Sequence, residues 1–493
     1  MNPLLNREGL PLFEQINEKH ITPALNHVLK ESRLTIKTVE SSKEDPDWHN
    51  FVLPLQKSNE KLSRVWSQIN HLNSVVNNEK LRLIYNKNLV KVTKYHSELS
   101  QNKLIYKKFI KIKSGKFYKS LKAPQKKIIT DEILGFELGG VGLDYTKKIE
   151  FKKILSKLSK LSASFEENLL DSVNNYSLLI EDKKKLKGIP NDILVKAKID
   201  ANKQKKSGWA FSLDFPCYMP IMQYADDREL RKQIYYAYAT KASDLSDKNK
   251  DNTDNINKIL LNKKRLANLL GFSNYASMAL TTKMANSSNE VIKFLEDLAN
   301  KAKPFASKDM DDLIIHGAKQ KINDIEAWDI AYLSEKIKEE RFNYSEQEVK
   351  NYFPDHKVIE GLFKVVESIY GIFIKKEITE VWHKDVKFYK ITNKSNELIG
   401  HFYLDLYARK SKRGGAWMDE AISKFKFPNE DAYPVAYLTC NFSEPVNNNV
   451  SLLTHDEVIT LFHEFGHGLH HLLTEINDYG VSGIQGVEWD AVE

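Results

Sequence analysis

Two histidines four positions apart are the residues in this chain most able to do chemistry. In the run His463-Glu464-Phe465-Gly466-His467, a helix would set the two imidazoles about 40° apart around its axis and one turn apart along it. Two ring nitrogens can then bind one zinc ion, while Glu464, at the side of the metal, can take a proton from an attacking water. The pattern predicts a hydrolytic zinc site with His463 and His467 as ligands and Glu464 as general base.

The helix that would carry this site has its own local signals. Thr454 and Glu457 have the spacing of a capping box, which predicts that a helix begins there. A solvated helix face that happens to carry histidines is the alternative, and His470 and His471 illustrate it. The cap and the apolar stripe along one side favour a helix packed on a core. That stripe consists of Val458, Leu461, Phe462, Phe465, Leu469 and Leu472.

A tetrahedral zinc ion held by two histidines and a water needs one more protein ligand, commonly a carboxylate from a later segment. The glycines within 477–486 predict a turn that sends the chain back toward the metal helix. Glu488, Asp490 or Glu493 could then reach the ion, and spacing alone does not choose among them. The carboxylates downstream of the helix are Glu475, Asp478, Glu488, Asp490 and Glu493.

Helical periodicity dominates the chain as far as about residue 380. Ser287 and Glu290 form a second capping box, and the apolar residues that follow recur at steps of three and four. We therefore expect an amphipathic helix there that packs against other helices. Another helix is predicted to end at Gly271, where glycine can adopt a left-handed conformation. The apolar face of the first helix consists of Val291, Phe294, Leu295 and Leu298.

Strands are expected between the helical part and the metal helix. Residues 386–389 and 398–406 alternate around a polar turn and predict a β-hairpin, and residues 435–442 predict a third strand. The basic residues of the intervening segment could bind a peptide carboxylate or line a solvated loop. They are Arg409, Lys412 and Arg413.

Composition places the chain among folded globular proteins. Of its residues, 41% are hydrophobic and 28% are charged, and the mean hydropathy is −0.48. Its length of 493 residues is enough for more than one lobe. Two cysteines, Cys217 and Cys440, rule out a disulfide framework and favour a reducing, cytoplasmic location. No run of about 18 apolar residues occurs, so we expect no membrane partner.

The charge balance is basic, with a formal net charge of +8. We read this excess as spread over short clusters such as 183–185 and 203–206, which solvated helix faces explain. A basic nucleic-acid-binding protein is the rival class, supported only by a pI near 8.9. Without a nucleic-acid-binding signature, we expect no nucleic-acid partner.

Together these segments resemble the thimet oligopeptidase and oligopeptidase A family of zinc metallopeptidases, and most of all its bacterial oligopeptidase A members. The likeness spans the whole chain and is densest around the metal motif, in the run LFHEFGHGLHH at 461–471 and the run GVEWDAVE at 486–493. The other similar segments are 402–409, 412–417, 434–442 and 454–458.

The resemblance implies His463 and His467 as zinc ligands, Glu493 as the third ligand and Glu464 as the base. It implies a mainly helical, two-lobed body with a deep channel and a small β-sheet next to the zinc-binding helix. Residues 1–200 would form a helical N-terminal lobe. Residues 201–493 would form the catalytic lobe, with the sheet in 385–442 and the zinc-binding helix in 455–473.

The activity so implied is that of a monomeric metalloendopeptidase that uses one zinc ion to cut internal bonds of short oligopeptides. Family members continue past residue 493, so we expect the C-terminal part of the catalytic domain to be absent here. The chain alone is therefore expected to be weakly active or inactive. A non-catalytic remnant that binds zinc or peptides is the alternative.

Overall fold

The computed structural model describes residues 2–446 and 450–492, and helices make up most of the described chain. The prediction of a mainly helical body is confirmed. Within these ranges, no helix combines the length and apolar character needed to cross a membrane. The helices are α1 Glu18–Ser41, α2 Leu53–Val75, α3 Glu79–Ser100, α4 Lys103–Ser114, α5 Lys116–Ser120, α6 Ala123–Leu138, α7 Tyr145–Asn175, α8 Asn191–Lys203, α9 Phe215–Tyr224, α10 Arg228–Ala239, α11 Thr253–Leu269, α12 Tyr275–Ala279, α13 Ser288–Lys319, α14 Ala327–Phe342, α15 Glu346–Val349, α16 Asp355–Tyr370, α17 His455–Leu472 and α18 Trp489–Val492.

Most of the strands form one five-stranded sheet in the order β3-β4-β5-β9-β6. The predicted hairpin is confirmed as β4 and β5, which pair antiparallel, and the predicted third strand is β9. Strand β9 lies inside the sheet, parallel to β5 and antiparallel to β6. The strands are β1 Leu178–Ile180, β2 Trp209–Phe211, β3 Phe373–Glu377, β4 Lys387–Thr392, β5 Leu398–Tyr407, β6 Trp417–Ile422, β7 Phe425–Phe427, β8 Glu430–Ala432 and β9 Val435–Phe442.

Helices cover both faces of this sheet. Because side chains alternate along a strand, β9 sends Val435 and Tyr437 into a core shared with α1, α2 and α3. Its residues Ala436, Leu438 and Cys440 enter a second core, which contains most of the predicted apolar stripe of α17. The assignment of Phe462 to that stripe was wrong, because its side chain is 39% exposed and lies outside this core. The sheet is therefore the layer that joins the N-terminal helices to the helix carrying the predicted metal ligands.

The predicted helix caps are present, but one predicted packing face is not buried. Ser287 accepts a hydrogen bond from the Glu290 backbone N–H at the start of α13, and Gly271 follows α11 with a φ of 86°. Along α13, however, Phe294 is 66% exposed and Leu298 is 53% exposed. The capping and periodicity were read correctly, whereas the expected packing of this face against other helices was wrong.

A buried histidine in the N-terminal core makes stability depend on pH. His71 of α2 stacks on Tyr437 with ring centroids 3.7 Å apart, and neither ring nitrogen has a hydrogen-bond partner among the described residues. Burial is the largest influence and lowers the pKa of His71 to about 3. The neutral ring is therefore the form that the folded protein accommodates.

Acid is expected to destabilise the fold through His71. The pKa of His71 in the folded protein lies below its ordinary value near 6.5. Its contribution to the free energy of unfolding is therefore complete above pH 6.5 and is lost as the pH falls toward 3. The loss amounts to about 1.4 kcal/mol per pH unit, or about 2 kcal/mol at pH 5. Urea unfolding of His71→Phe at pH 7.5 and pH 5 should show a correspondingly smaller drop than the wild type. The same substitution at the exposed His27 is the control, and an unchanged pH dependence in His71→Phe would contradict this assignment.

Candidate active site

Helix α17 is set in place by its cap and its apolar stripe. The Thr454 hydroxyl accepts a hydrogen bond from the Glu457 backbone N–H, at 3.1 Å, and the Thr454 N–H donates to the Glu457 carboxylate, at 2.8 Å. Leu461, Phe465 and Leu472 are buried against the sheet. With one side fixed in the core, the opposite side of the helix presents its histidines in a defined direction.

The structure brings His463 and His467 together. Their Nε2 atoms lie 3.1 Å apart, and the two rings stand nearly perpendicular at 89°. Two nitrogens bound to one tetrahedral zinc ion at 2.0–2.1 Å would be separated by about 3.3 Å. The donor pair therefore has the spacing that a shared zinc ion requires.

Glu464 lies deeper in the structure than its two histidine neighbours. It is 6% exposed, and its position on α17 turns it toward the sheet. Cys440 of β9 is close enough to Glu464 for the two groups to interact electrostatically. Burial is the largest influence on the pKa of the Cys440 thiol and raises it, Lys412 lowers it, and the Glu464 carboxylate raises it. The carboxylate is thus held between α17 and β9, next to His463 in sequence.

Two of the three carboxylates considered as third ligands are bound elsewhere. Glu488 forms an ion pair with Lys127 of α6, at 3.7 Å. Asp490 accepts hydrogen bonds from the backbone N–H groups of Met284 and Ala285, both at 2.9 Å. Glu493 lies outside the described residues. Across 2–446 and 450–492 no three metal-binding side chains of the His, Cys, Asp or Glu type form a group.

Short helix α18 nevertheless lies beside the histidines. The ring of Trp489 is 6.4 Å from the ring of His467, centroid to centroid. Asp490 fixes the same helix to the segment that precedes α13. Two contacts with separate elements therefore hold α18 next to the candidate site.

The predicted glycine-rich turn brings the chain back to α17. Gly480, Gly483 and Gly486 all have positive φ, and a Cβ at Gly483 would lie 2.5 Å from Nδ1 of His471. His471 is fully buried and donates from Nε2 to the backbone carbonyl of Ile422, at 3.0 Å. His471 is therefore a packing residue that anchors the end of α17 to β6, and the turn fits over it only as glycine.

A cavity of about 810 Å³ opens along the second half of α17, and neither His463 nor His467 is among the residues that line it. Gly466 and His470 line it from the helix, Lys127 and Pro124 from α6, and Glu488 from the segment before α18. His470, unlike His471, is exposed. This space is large enough for several residues of an extended peptide.

Sequence reasoning missed a buried ion cluster in the segment that follows β5. Arg409 donates two hydrogen bonds to the Asp405 carboxylate, each at 2.7 Å, and Lys412 donates a third at 2.9 Å. Burial opposes ionisation of Asp405, but the Arg409 hydrogen bond and the Lys412 charge hold its pKa below the usual range. Arg409 and Lys412 therefore fasten the segment between β5 and β6, contrary to a solvated loop. The four-residue step from Asp405 to Arg409 was the available signal.

Comparisons with known proteins identify the family of this chain. The model for peptidase family M3 matches residues 221–493, and the model for the neurolysin/thimet oligopeptidase N-terminal domain matches residues 25–148. Oligopeptidase A of Escherichia coli (strain K12) is 42% identical over 497 residues, covering 100% of this chain and 73% of that protein. Organellar oligopeptidase A of Arabidopsis thaliana is 36% identical over 511 residues, covering 100% of this chain and 64% of that protein.

A solved structure shows the same fold at low sequence identity. An oligoendopeptidase F from Bacillus anthracis matches 90% of this chain and 64% of that chain, with a TM-score of 0.54 at 13% identity. That likeness concerns the fold alone, whereas the family matches rest on sequence over the whole chain. The chain belongs to peptidase family M3.

Proposed function

We propose that this chain is a zinc-dependent endopeptidase that hydrolyses internal bonds of short oligopeptides. The observation that carries the proposal is the 3.1 Å approach of the His463 and His467 Nε2 atoms on one face of α17. Membership of family M3 and 42% identity to an oligopeptidase A support the reaction class.

His463 and His467 are the proposed histidine ligands, and Glu493 is the proposed third ligand. Glu493 follows Trp489 by four positions in the sequence, and the Trp489 ring lies 6.4 Å from the His467 ring, centroid to centroid. This nearness in sequence supports Glu493, whereas Glu488 and Asp490 bind other groups. When bound, zinc supplies a Lewis acid that lowers the pKa of water and polarises a carbonyl.

Glu464 is the proposed general base. Its carboxylate takes the proton of the attacking water and later passes that proton to the leaving amine. Burial between α17 and β9 restricts the orientations of the carboxylate, which favours a fixed proton path. The attacking group is water, so no covalent intermediate with a side chain is expected.

The cavity beside α17 supports peptides as substrates because it has room for an extended chain and is lined by Gly466, which directly precedes His467. Free thiols at Cys217 and Cys440 support the proposed cytoplasmic location, where such thiols stay reduced. We also propose that the enzyme acts as a monomer.

The direct test is cleavage of an internally quenched peptide of about ten residues with both ends blocked. Mass spectrometry should show products from an internal bond, since blocked ends exclude exopeptidase cleavage. A chelator should abolish cleavage and added zinc should restore it. Cleavage that persists with chelator would overturn the proposal, and zinc and peptide binding without turnover would favour the non-catalytic alternative.

A further inference from the structure

The positive charge of this protein is concentrated in one stretch of the chain. Residues 103–160 contain sixteen lysines, no arginine and five acidic residues, a net charge of +11. The remaining residues carry 58 basic and 61 acidic side chains, a net charge of −3. The expectation of an evenly spread excess was therefore wrong, and this segment alone makes the protein basic.

The fold turns these lysines outward. Ile105, Phe109 and Ile112 of α4 are buried in the core formed with α6, so the opposite face of α4 carries its lysines into solvent. We call the exposed lysines of α4, α5 and the first turns of α6 and α7 the basic surface. Its two ends meet in space, because Lys148 of α7 donates a hydrogen bond to the backbone carbonyl of Gln101, two residues before Lys103 of α4, at 2.9 Å.

Few carboxylates neutralise the basic surface. Lys111 pairs with Asp45, Lys127 pairs with Asp131 and Glu488, and Lys147 pairs with Asp144. Six further exposed lysines form no ion pair with any carboxylate of the described residues. They are Lys103, Lys107, Lys113, Lys116, Lys119 and Lys122.

The basic surface ends at the candidate active site. Lys127 at the start of α6 lines the same cavity as Gly466 and His470 of α17. It also binds Glu488, one residue before Trp489. A peptide approaching across this surface would therefore reach the cavity lined by Gly466 and His470 of α17.

We propose that the basic surface attracts acidic peptides to this cavity, so that the preferred substrates are oligopeptides rich in Asp and Glu. This inference rests on the proposed peptidase function and specifies its substrate class. Attraction at a distance raises the rate of encounter and does not alter the bond-breaking step. Charge preference should therefore appear in binding and in kcat/KM, with little effect on kcat.

Peptides fit this surface better than nucleic acids do. Arginine, whose planar guanidinium binds phosphates in pairs of hydrogen bonds and stacks on bases, is absent from 103–160. Lysine supplies a mobile point charge that suits carboxylates scattered along a flexible chain.

The test compares two fluorescent decapeptides that differ only in four Glu or four Gln residues. Binding to the Glu464→Gln protein is measured by anisotropy in about 10 mM and about 150 mM salt, where screening lengths are about 30 and 8 Å. We expect the Glu peptide to bind about tenfold more tightly than the Gln peptide at low salt, and this gap to close at high salt. Cleavage of both peptides by the wild-type protein is measured in parallel.

Matched variants locate the effect. The first variant should remove most of the difference in affinity between the Glu and Gln peptides; it combines Lys107→Gln, Lys113→Gln, Lys116→Gln and Lys119→Gln. The control variant should preserve that difference; it carries Gln at Lys183, Lys184, Lys185 and Lys206. If both peptides are cleaved with equal kcat/KM and bound with equal affinity, the proposed attraction of acidic peptides by the basic surface is overturned. The proposed peptidase function would then still hold. Charge-dependent binding without cleavage would support the surface and overturn the peptidase function. Tighter binding of an RNA of equal charge than of the Glu peptide would overturn the peptide assignment.

Discussion

Replacing Glu464 by glutamine is expected to lower kcat for peptide cleavage by about 10²- to 10⁴-fold, the usual contribution of a general base. Glutamine keeps the size and shape of the side chain but cannot accept the proton of the attacking water. Because Glu464 is buried against β9, the substitution should also leave the helix packing intact. The measurement is kcat on the blocked, internally quenched peptide, with zinc content determined for each protein.

The matched control for Glu464 is a half-buried glutamate of the same helix. Glu457 belongs to the capping box of α17, and glutamine serves that role as well as glutamate does. Glu457→Gln should therefore retain kcat within a few-fold. A Glu464→Gln protein that cleaves peptides at the wild-type rate would refute the assignment of the base.

Removing either histidine of the pair is expected to weaken zinc binding by more than about 100-fold. Loss of supporting groups around a metal already reduces affinity by about 10- to 100-fold, and loss of a ligand should exceed that. Affinity can be measured by competition with a chromogenic chelator for His463→Ala and His467→Ala. The increase in Tm that zinc gives the wild type should also disappear, because a ligand stabilises only a fold that binds it.

His470 provides a control on the same helix. It is exposed and lies three positions beyond His467, so His470→Ala changes the histidine content without changing the pair. The zinc affinity of His470→Ala should match that of the wild type. The zinc affinity of Glu493→Gln should be reduced, as in the two histidine variants. Equal zinc affinity in wild type and His467→Ala would contradict the metal site.

The local parts of the structure were accessible from sequence because their determinants lie within a few residues of each other. The capping box at Thr454 and the four-residue step between His463 and His467 specify a helix and its face without knowledge of the rest of the fold. The β4–β5 hairpin is equally local. These features are the ones that the structure reproduces.

Features that depend on distant segments were not accessible in the same way. The parallel pairing of β5 with β9 joins strands that are separated in the sequence by three others, β6, β7 and β8. Alternation of apolar residues alone does not encode this strand order. The exposed face of α13 shows the same limit, since periodicity identifies an apolar side but not what contacts it. The Arg409 guanidinium also donates to the backbone carbonyl of Val75, more than three hundred positions away, a contact that the local step from Asp405 to Arg409 does not encode.

Some expectations stay predictions. The division into lobes at residues 1–200 and 201–493, the monomeric state and the reduced activity of this chain have no test in the structure. The choice of Glu493 stays a prediction as well. Its position relative to Trp489 supports it, and the zinc titrations described above examine it directly.

The double-sided packing of β9 has a consequence for how the protein loses its structure. Neighbouring side chains on this one strand are buried by helices from the first hundred residues and by the metal helix, respectively. Neither set of helices can detach without exposing the strand that the other needs. The N-terminal segment and the histidine pair, more than three hundred positions apart, should therefore melt in a single cooperative step, and a fragment lacking the first hundred residues should fail to retain zinc.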